Sequence, residues 1–310
     1  MNTDTADLGT APASAVRAGS ARTTLLTLVK REFWEHTALW RVPAIVAALL
    51  AVLTLFSARV GIDINGAHIH QIDGSERIMV LNMSQLAWAG LVYLAAVIVV
   101  TFYSLDCLYA ERKDRTILFW KSLPVSDGMT VLSKFLVGVL IVPLLAFVLA
   151  LASHLLAFLI WKLRAAAGGV PDVVSWNSVA WVRGELVIFL CLVLSSLWYA
   201  PVVAAALLAS AWLKRNPLLW VGLGLILAPF IEYIVFHTGY LGSVIGYRSS
   251  AIWQVLTSSD GHSVLNENVR LLSDLNWSGA FTYPALWLGV VAAAGLLYGA
   301  ARIRRYRDDT

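Results

Sequence analysis

Tyr109-Ala-Glu-Arg-Lys-Asp-Arg-Thr-Ile-Leu-Phe-Trp-Lys-Ser-Leu-Pro-Val-Ser-Asp127 is a charged and aromatic interlude between two long apolar runs, and its reading decides how the chain is laid out. It sets Glu111, Arg112, Lys113, Asp114 and Arg115 directly before Ile117, Leu118, Phe119 and Trp120. A surface loop would not carry so many apolar side chains, and a membrane span would not carry so many charges. As a helix the stretch aligns Thr116, Phe119, Trp120 and Leu123 at i, i+3, i+4 and i+7, with Arg112 and Arg115 beside them. That face is too apolar to be left in water. It either docks into a soluble subunit or lies on the inner leaflet as an amphipathic surface helix. Pro124 ends it, and Ser126 with Asp127 can cap the helix that follows.

The flanking runs define the class. Hydrophobic residues make up 59% of the 310 positions and charged ones 14%, against roughly 25% charged in a soluble domain. The runs are long and nearly free of charge, which points to an all-α polytopic membrane protein rather than a barrel of short alternating strands. Residues 1–20 hold no apolar core of a signal peptide and read as part of a disordered cytoplasmic tail, 1–22. Cys107 and Cys191 both fall inside apolar runs, where a thiol behaves as a small hydrophobe.

Six spans are expected. Between Thr23 and Trp40, Leu26, Val29, Phe33 and Trp40 follow helical spacing while Lys30, Arg31 and Glu35 point elsewhere. This fits an interfacial helix over 23–41, or a plain extension of the first span. That span runs from about Val42 to Phe56. No charge occurs between Arg77 and Asp106, and the 28 residues between them extend about 42 Å as a helix, beyond the roughly 30 Å hydrocarbon core. Further spans cover about Val131–Trp161, Leu186–Leu213, Pro217–Phe236 and Phe281–Ala301, and the Lys214-Arg-Asn-Pro217 turn separates the fourth from the fifth. The segment 237–280 is polar, yet Ala251, Ile252, Val255 and Leu256 keep helical spacing, so short helices there compete with a loop. Residues 23–302 read as one transmembrane domain, followed by a cytoplasmic tail at 303–310.

A central Lys or Arg costs about 2.5 to 3.5 kcal/mol on insertion, so loop charge sets topology. With both termini inside, 16 of the 23 Lys and Arg residues fall in inner segments, which places the interlude in the cytoplasm. The basic charge balance follows from that bias and from anionic lipid, and calls for no nucleic-acid partner. The phosphate-cradling G-x-x-x-x-G-K-[ST] pattern is missing, so ATP, if used, is hydrolysed elsewhere. Neither a zinc-protease His pair nor a G-x-S-x-G elbow occurs, and His68 with His70 reads as a solvated loop. No catalytic or metal-ligating set is expected.

Ionisable residues inside spans are functional candidates by default. Asp106 sits at the inner end of the second span, where it can be wet or paired. Glu232 is the most unusual charge: about 22 Å beyond Pro217 and one turn past Pro229. It could line a pathway, carry a proton, pair with His237 or a neighbouring subunit, or be an outer-leaflet acid reached by water. His154 reads as core or interfacial. No internal repeat of the kind that builds secondary transporters is present.

Glu111-Arg112, Asp114-Arg115-Thr116, Leu123-Pro124, Ser126 and Lys134 resemble the first cytoplasmic loop of the permease subunits of type-2 ABC transporters (the ABC-2 class). The sequence departs from that pattern at Asp114, where the family carries Gly. The resemblance covers most of the chain as layout and about 25 residues as motif. It implies an amphipathic elbow helix, six spans, a coupling helix over 111–124 and short extracytoplasmic helices before the last span. It further implies an exporter permease in the bacterial cytoplasmic (inner) membrane, a homodimer joined to two ABC ATPase subunits, with ATP and Mg held by those partners and no cofactor in this chain. Glu111, Arg112, Asp114, Arg115, Thr116, Phe119, Trp120 and Leu123 would then couple the chain to the ATPase. A membrane-embedded enzyme or an ion-coupled carrier using Glu232 are the competing readings.

Overall fold

The structure, a computed structural model, describes residues 21–57, 74–114, 125–167, 178–259, 262–263 and 275–306. Apolar runs without breakers become long helices because every backbone N–H and C=O is then satisfied inside the segment, the requirement in lipid. Helix α1 spans Ala21–Glu35 and α2 Ala38–Ser57, with a break at His36 and Thr37. Helix α3 covers Gly74–Lys113, and at 40 residues it is about 60 Å long. Ser126 caps α4, Asp127–Leu136, with its side chain accepting from the Met129 N–H. A π-helical turn, Val137–Ile141, then leads into α5, Val142–Ala166. Next come α6 at Ser178–Trp212, α7 at Pro217–Phe236 and α8 at Tyr240–Thr257. A two-residue ladder joins Ser258–Ser259 to His262–Ser263, and α9, Trp277–Thr282, precedes α10, Pro284–Tyr306.

Six of these helical segments are long and apolar enough to cross a membrane. They match the six expected spans in number and order, with boundaries that agree to within a few residues at most ends, and the fifth, Pro217–Phe236, falls where it was expected. The protein is thus all-helical, with the layout of a multi-pass membrane protein.

Helix α6 is the central post. It packs along α10 on one side and α3 on another, while α2 lies against α3 and α5. The apolar core runs through Leu39, Val92, Val131, Val137, Val142 and Leu207. The π turn falls where three helices meet. A Cβ at Gly138 would stand 3.2 Å from Val100 and 3.3 Å from Val203, so the missing side chain is what lets α3 and α6 approach the turn. By contrast α7 buries none of its apolar window against its own chain.

Helix α8 bears out the helical spacing read at Ala251, Ile252 and Leu256, all of which are buried. It is fastened to α6 reciprocally. The fully buried Trp198 donates its indole N–H to the Arg248 carbonyl at 2.7 Å, and the Arg248 guanidinium bonds the Trp198 carbonyl and stacks over its ring at 4.0 Å. Gly289 on α10 leaves the room: a Cβ there would meet Arg248 Nη2 at 2.6 Å. Trp198→Phe removes the indole donor and leaves a smaller ring under Arg248. It is expected to cost about 2 to 3 kcal/mol, the lost hydrogen bond plus the space left in the core, seen as a lower melting temperature and faster backbone exchange in α8.

Candidate functional site

The ends of α1, α3, α4 and α10 meet at one end of the bundle, called here the basal end, around a lattice of buried charge. Its centre is Lys134 on α4, 1% exposed. The Lys134 ammonium donates to both oxygens of Glu32 on α1, at 2.9 and 3.0 Å, and pairs with Glu111 on α3 at 3.1 Å. Glu32 also accepts from the Tyr103 hydroxyl at 2.8 Å and from Arg31 at 2.8 Å. Arg31 reaches on to Glu111 at 3.2 Å and Glu35 at 3.3 Å. Arg304 near the end of α10 closes the set, with 2.8 Å to Glu111 and 2.9 Å to Asp127. Arg31, Lys134 and Arg304 thus face Glu32, Glu111 and Asp127, charge for charge, with Glu35 at the half-exposed rim. Removing any one member would leave an uncompensated charge in a dry site.

Beside the lattice Arg112 is bonded to the chain's own backbone. Its guanidinium donates to the carbonyls of Ser210 and Leu213, at 2.6 and 2.8 Å, and so satisfies acceptors that the end of α6 leaves open. Ser210 answers by accepting from the N–H groups of Leu108 and Tyr109. The last turn of α3 is therefore riveted to the end of α6.

This changes the meaning of the first residues of the interlude. Glu111 and Arg112 are the buried end of α3 and bind the chain to itself, because their partners arrive from α1, α4, α6 and α10. Asp114 follows in the turn after α3, its N–H bonded to the Ala110 carbonyl. Arg115, Thr116, Phe119, Trp120 and Leu123 lie outside the described residues. What the structure gives is the mounting on both sides of residues 115–124: Glu111 and Arg112 before, Asp127 and Lys134 after.

Glu32 was not singled out in the sequence, and Arg31, expected on the outer face of α1, turns inward. The available signal was position: Glu32 stands at i+4 from Leu28, and both are buried. Its identity as an anchor depends on Lys134, 102 residues away. Glu32, Glu35 and His36 bring possible ligand atoms within 4.8 Å of one another, but the Glu32 oxygens are already taken by Lys134, Arg31 and Tyr103, so a metal would have to displace a buried cation.

Asp106 is exposed on α3. Glu232 is neither buried nor paired with His237. Its carboxylate accepts from the Thr238 hydroxyl at 2.9 Å and from the N–H groups of Tyr240 and Leu241, both at 2.8 Å. It caps the N-terminus of α8, whose first N–H groups have no partner within the helix. His237 takes the left-handed position that ends α7, with φ 51°. Of the alternatives the sequence left open, pairing with His237 is not what the structure has: Glu232 is exposed and the two residues do separate jobs at one helix junction. Family models, characterised proteins and solved structures give no match to this chain.

Two outcomes test the lattice. Lys134→Met is expected to lower stability by about 3 to 5 kcal/mol, and adding Glu32→Gln to it to recover part of that loss, because the stranded carboxylate is then neutral; thermal unfolding in detergent measures both. His36 packs edge-on to Tyr103 at 5.0 Å. Burial holds its imidazole below the ordinary 6.5, against the upward pull of Glu32. The folded state therefore binds that proton more weakly, and the stability tied to His36 is present above 6.5 and is lost as pH falls through and below it. Limited proteolysis of α1 should accelerate over that window, and His36→Gln should remove the acceleration.

Proposed function

We propose that the protein is the membrane-spanning permease subunit of an ATP-driven exporter of the type-2 ABC class, with residues 115–124 as the place where a separate ATPase subunit docks. The observation that carries the reading is the mounting of that segment. Both of its ends are tied by buried ion pairs and backbone bonds to α1, α3, α4, α6 and α10, so a push on it is delivered to most of the bundle at once. Packed helices and interfaces respond to such a push by discrete rigid-body shifts rather than by continuous bending. The chain carries no phosphate loop of its own, which is why the energy source is assigned to a partner.

On this reading two copies pair, and each takes one ATPase subunit, with ATP and Mg bound there. The exposed apolar length of α7 supports the pairing, since it offers a face that its own chain leaves uncovered. On this reading the basal end and both termini face the cytoplasm, which the charge bias of the loops supports, and the membrane is the bacterial inner membrane that the resemblance implies. Glu232 carries no catalytic or ion-coupling role in it, because its carboxylate is spent on the α8 N-terminus.

Tagged chain purified from its native host, with Phe119→Glu and Trp120→Glu introduced together, tests the docking step. Loss of a buried aromatic anchor is worth 2 kcal/mol or more, about thirtyfold in affinity. The expected result is loss of a stoichiometric ATPase and of its ATP turnover, with the chain still monodisperse. Unchanged co-purification and turnover would sink the docking claim.

A further inference from the structure

A second cluster of ionisable and amide side chains lies far from the lattice, at the other end of the bundle. Glu185 on α6 accepts from His154 Nδ1 on α5 at 2.7 Å and from Gln85 Nε2 on α3 at 2.9 Å. Asn82, one turn before Gln85, joins them. Three independent helices bring these groups to one height: Gln85 is 28 residues from Lys113, His154 is 27 from Asp127 and Glu185 is 27 from Trp212, each about 40 Å from the basal end. Asn82, Gln85, Glu185 and His154 are between 3% and 6% exposed.

The cluster is bonded inside but incomplete. Asn82 Oδ1, Gln85 Oε1, Glu185 Oε2 and His154 Nε2 are buried and have no hydrogen-bond partner among the described residues. Two of these oxygens lie side by side against Gly184. A Cβ added to Gly184 would lie 2.5 Å from Gln85 Oε1 and 2.9 Å from Asn82 Oδ1. The absence of a side chain at Gly184 is what leaves space for both amides next to Glu185.

The chemistry of the unfilled positions is one-sided. Gln85 gives its N–H to Glu185, which fixes its carbonyl oxygen toward Gly184. His154 donates its Nδ1–H to the Glu185 carboxylate, and in the neutral imidazole Nε2 is then a lone pair. All four open positions accept and none donates. With the imidazole neutral, the Glu185 carboxylate is the one charge of the group, and among the described residues no Lys or Arg pairs with it. A carboxylate so placed is costly unless it is paired or neutralised. Water would satisfy the acceptors and leave the charge.

We propose that Asn82, Gln85 and Glu185 form a binding site for one small positive ion, an alkali cation or a proton delivered as hydronium. Glu185 is the charged ligand, the two amide oxygens are neutral ligands, and His154 orients the carboxylate. A bound alkali ion would be coordinated by Glu185 Oε2 and the two amide oxygens. A proton would reside on the Glu185–His154 pair and leave the amides as acceptors for the hydrogen-bond donor it creates. Glu185 and His154 are the titratable groups of the cluster among the described residues: α3 contributes amides, the tilted Trp88 ring 6.3 Å from His154 is uncharged, and α6 contributes Gly184. The site stands independently of any reading of residues 115–124.

The test uses the full chain in lipid nanodiscs, with Trp88 fluorescence taken as the difference between the wild type and Trp88→Phe. One arm titrates sodium or potassium chloride against N-methylglucamine chloride at constant ionic strength. The other lowers the pH from about 8 to about 5 in N-methylglucamine alone, across the histidine range. A saturable one-site response in the first arm identifies an alkali ion, and a response confined to the second identifies a proton. Glu185→Gln should abolish it. Asn82→Ala, which leaves the Glu185–His154 pair intact, should weaken binding about tenfold, or move the midpoint by about one pH unit. Gly184→Ala removes no polar group and should weaken it at least as much, by pressing a methyl against both amide oxygens. No saturable response in either arm, or one that Asn82→Ala and Gly184→Ala leave unchanged in well-folded protein, would overturn the proposal in favour of a cluster that holds water only.

Discussion

A single ammonium group holds the basal end together. Lys134 is 1% exposed, and an unpaired lysine at that depth would lose its proton or unfold its surroundings. It stays because Glu32 and Glu111 reach it from two other helices, and those carboxylates need Lys134 for the same reason. Such a lattice adds little net stability compared with a well-packed apolar contact. What it adds is mutual dependence: α1, α3, α4 and α10 cannot separate one at a time without stranding a charge. The same constraint fixes where α3 must end, where α4 must begin and how α1 must lie against them.

The two ends of the bundle treat polarity differently. At the basal end opposite charges balance, and the Arg112 bonds to the end of α6 leave that helix terminus satisfied. At the other end Glu185, His154, Gln85 and Asn82 are equally buried but stop short of satisfying one another. Between them lie apolar core, the π turn at Gly138 and the Trp198–Arg248 clasp. One end reads as a closed mechanical joint and the other as an open chemical site. Under the proposed function the joint would lie at the face where energy enters and the proposed ion site at the opposite end, and each part can be tested without the other.

Some of this was legible in the residues. Long charge-free runs gave six spans because a helix is the structure that satisfies its own backbone in lipid, and the Ser126 cap could be read from its place after Pro124. The periodicity at Ala251, Ile252 and Leu256 gave a helix that the structure contains. Other features could not be read, for a common physical reason: their meaning is held by partners far away in sequence. Glu32 looks like one more charge in a polar helix until Lys134 arrives. Glu185 sat just before the expected start of the fourth span at Leu186, because a charge is the natural place to end an apolar run. Asn82 and Gln85, one turn apart in an otherwise charge-free span, were the available hint. Glu232 was legible as unusual but not as a cap, since the N–H groups it satisfies belong to the next helix.

The central claim is that the lattice makes the ends of α1 and α3 one rigid block on which the following segment is mounted. Pulsed electron paramagnetic resonance between spin labels at Trp34→Cys on α1 and Asp114→Cys after α3, with Cys107 and Cys191 replaced by serine, measures this directly. The account predicts a single narrow distance distribution, in the free chain and under any condition that leaves Lys134 in place, which broadens in Lys134→Met. A broad or two-peaked distribution in the chain with Lys134 intact would contradict it.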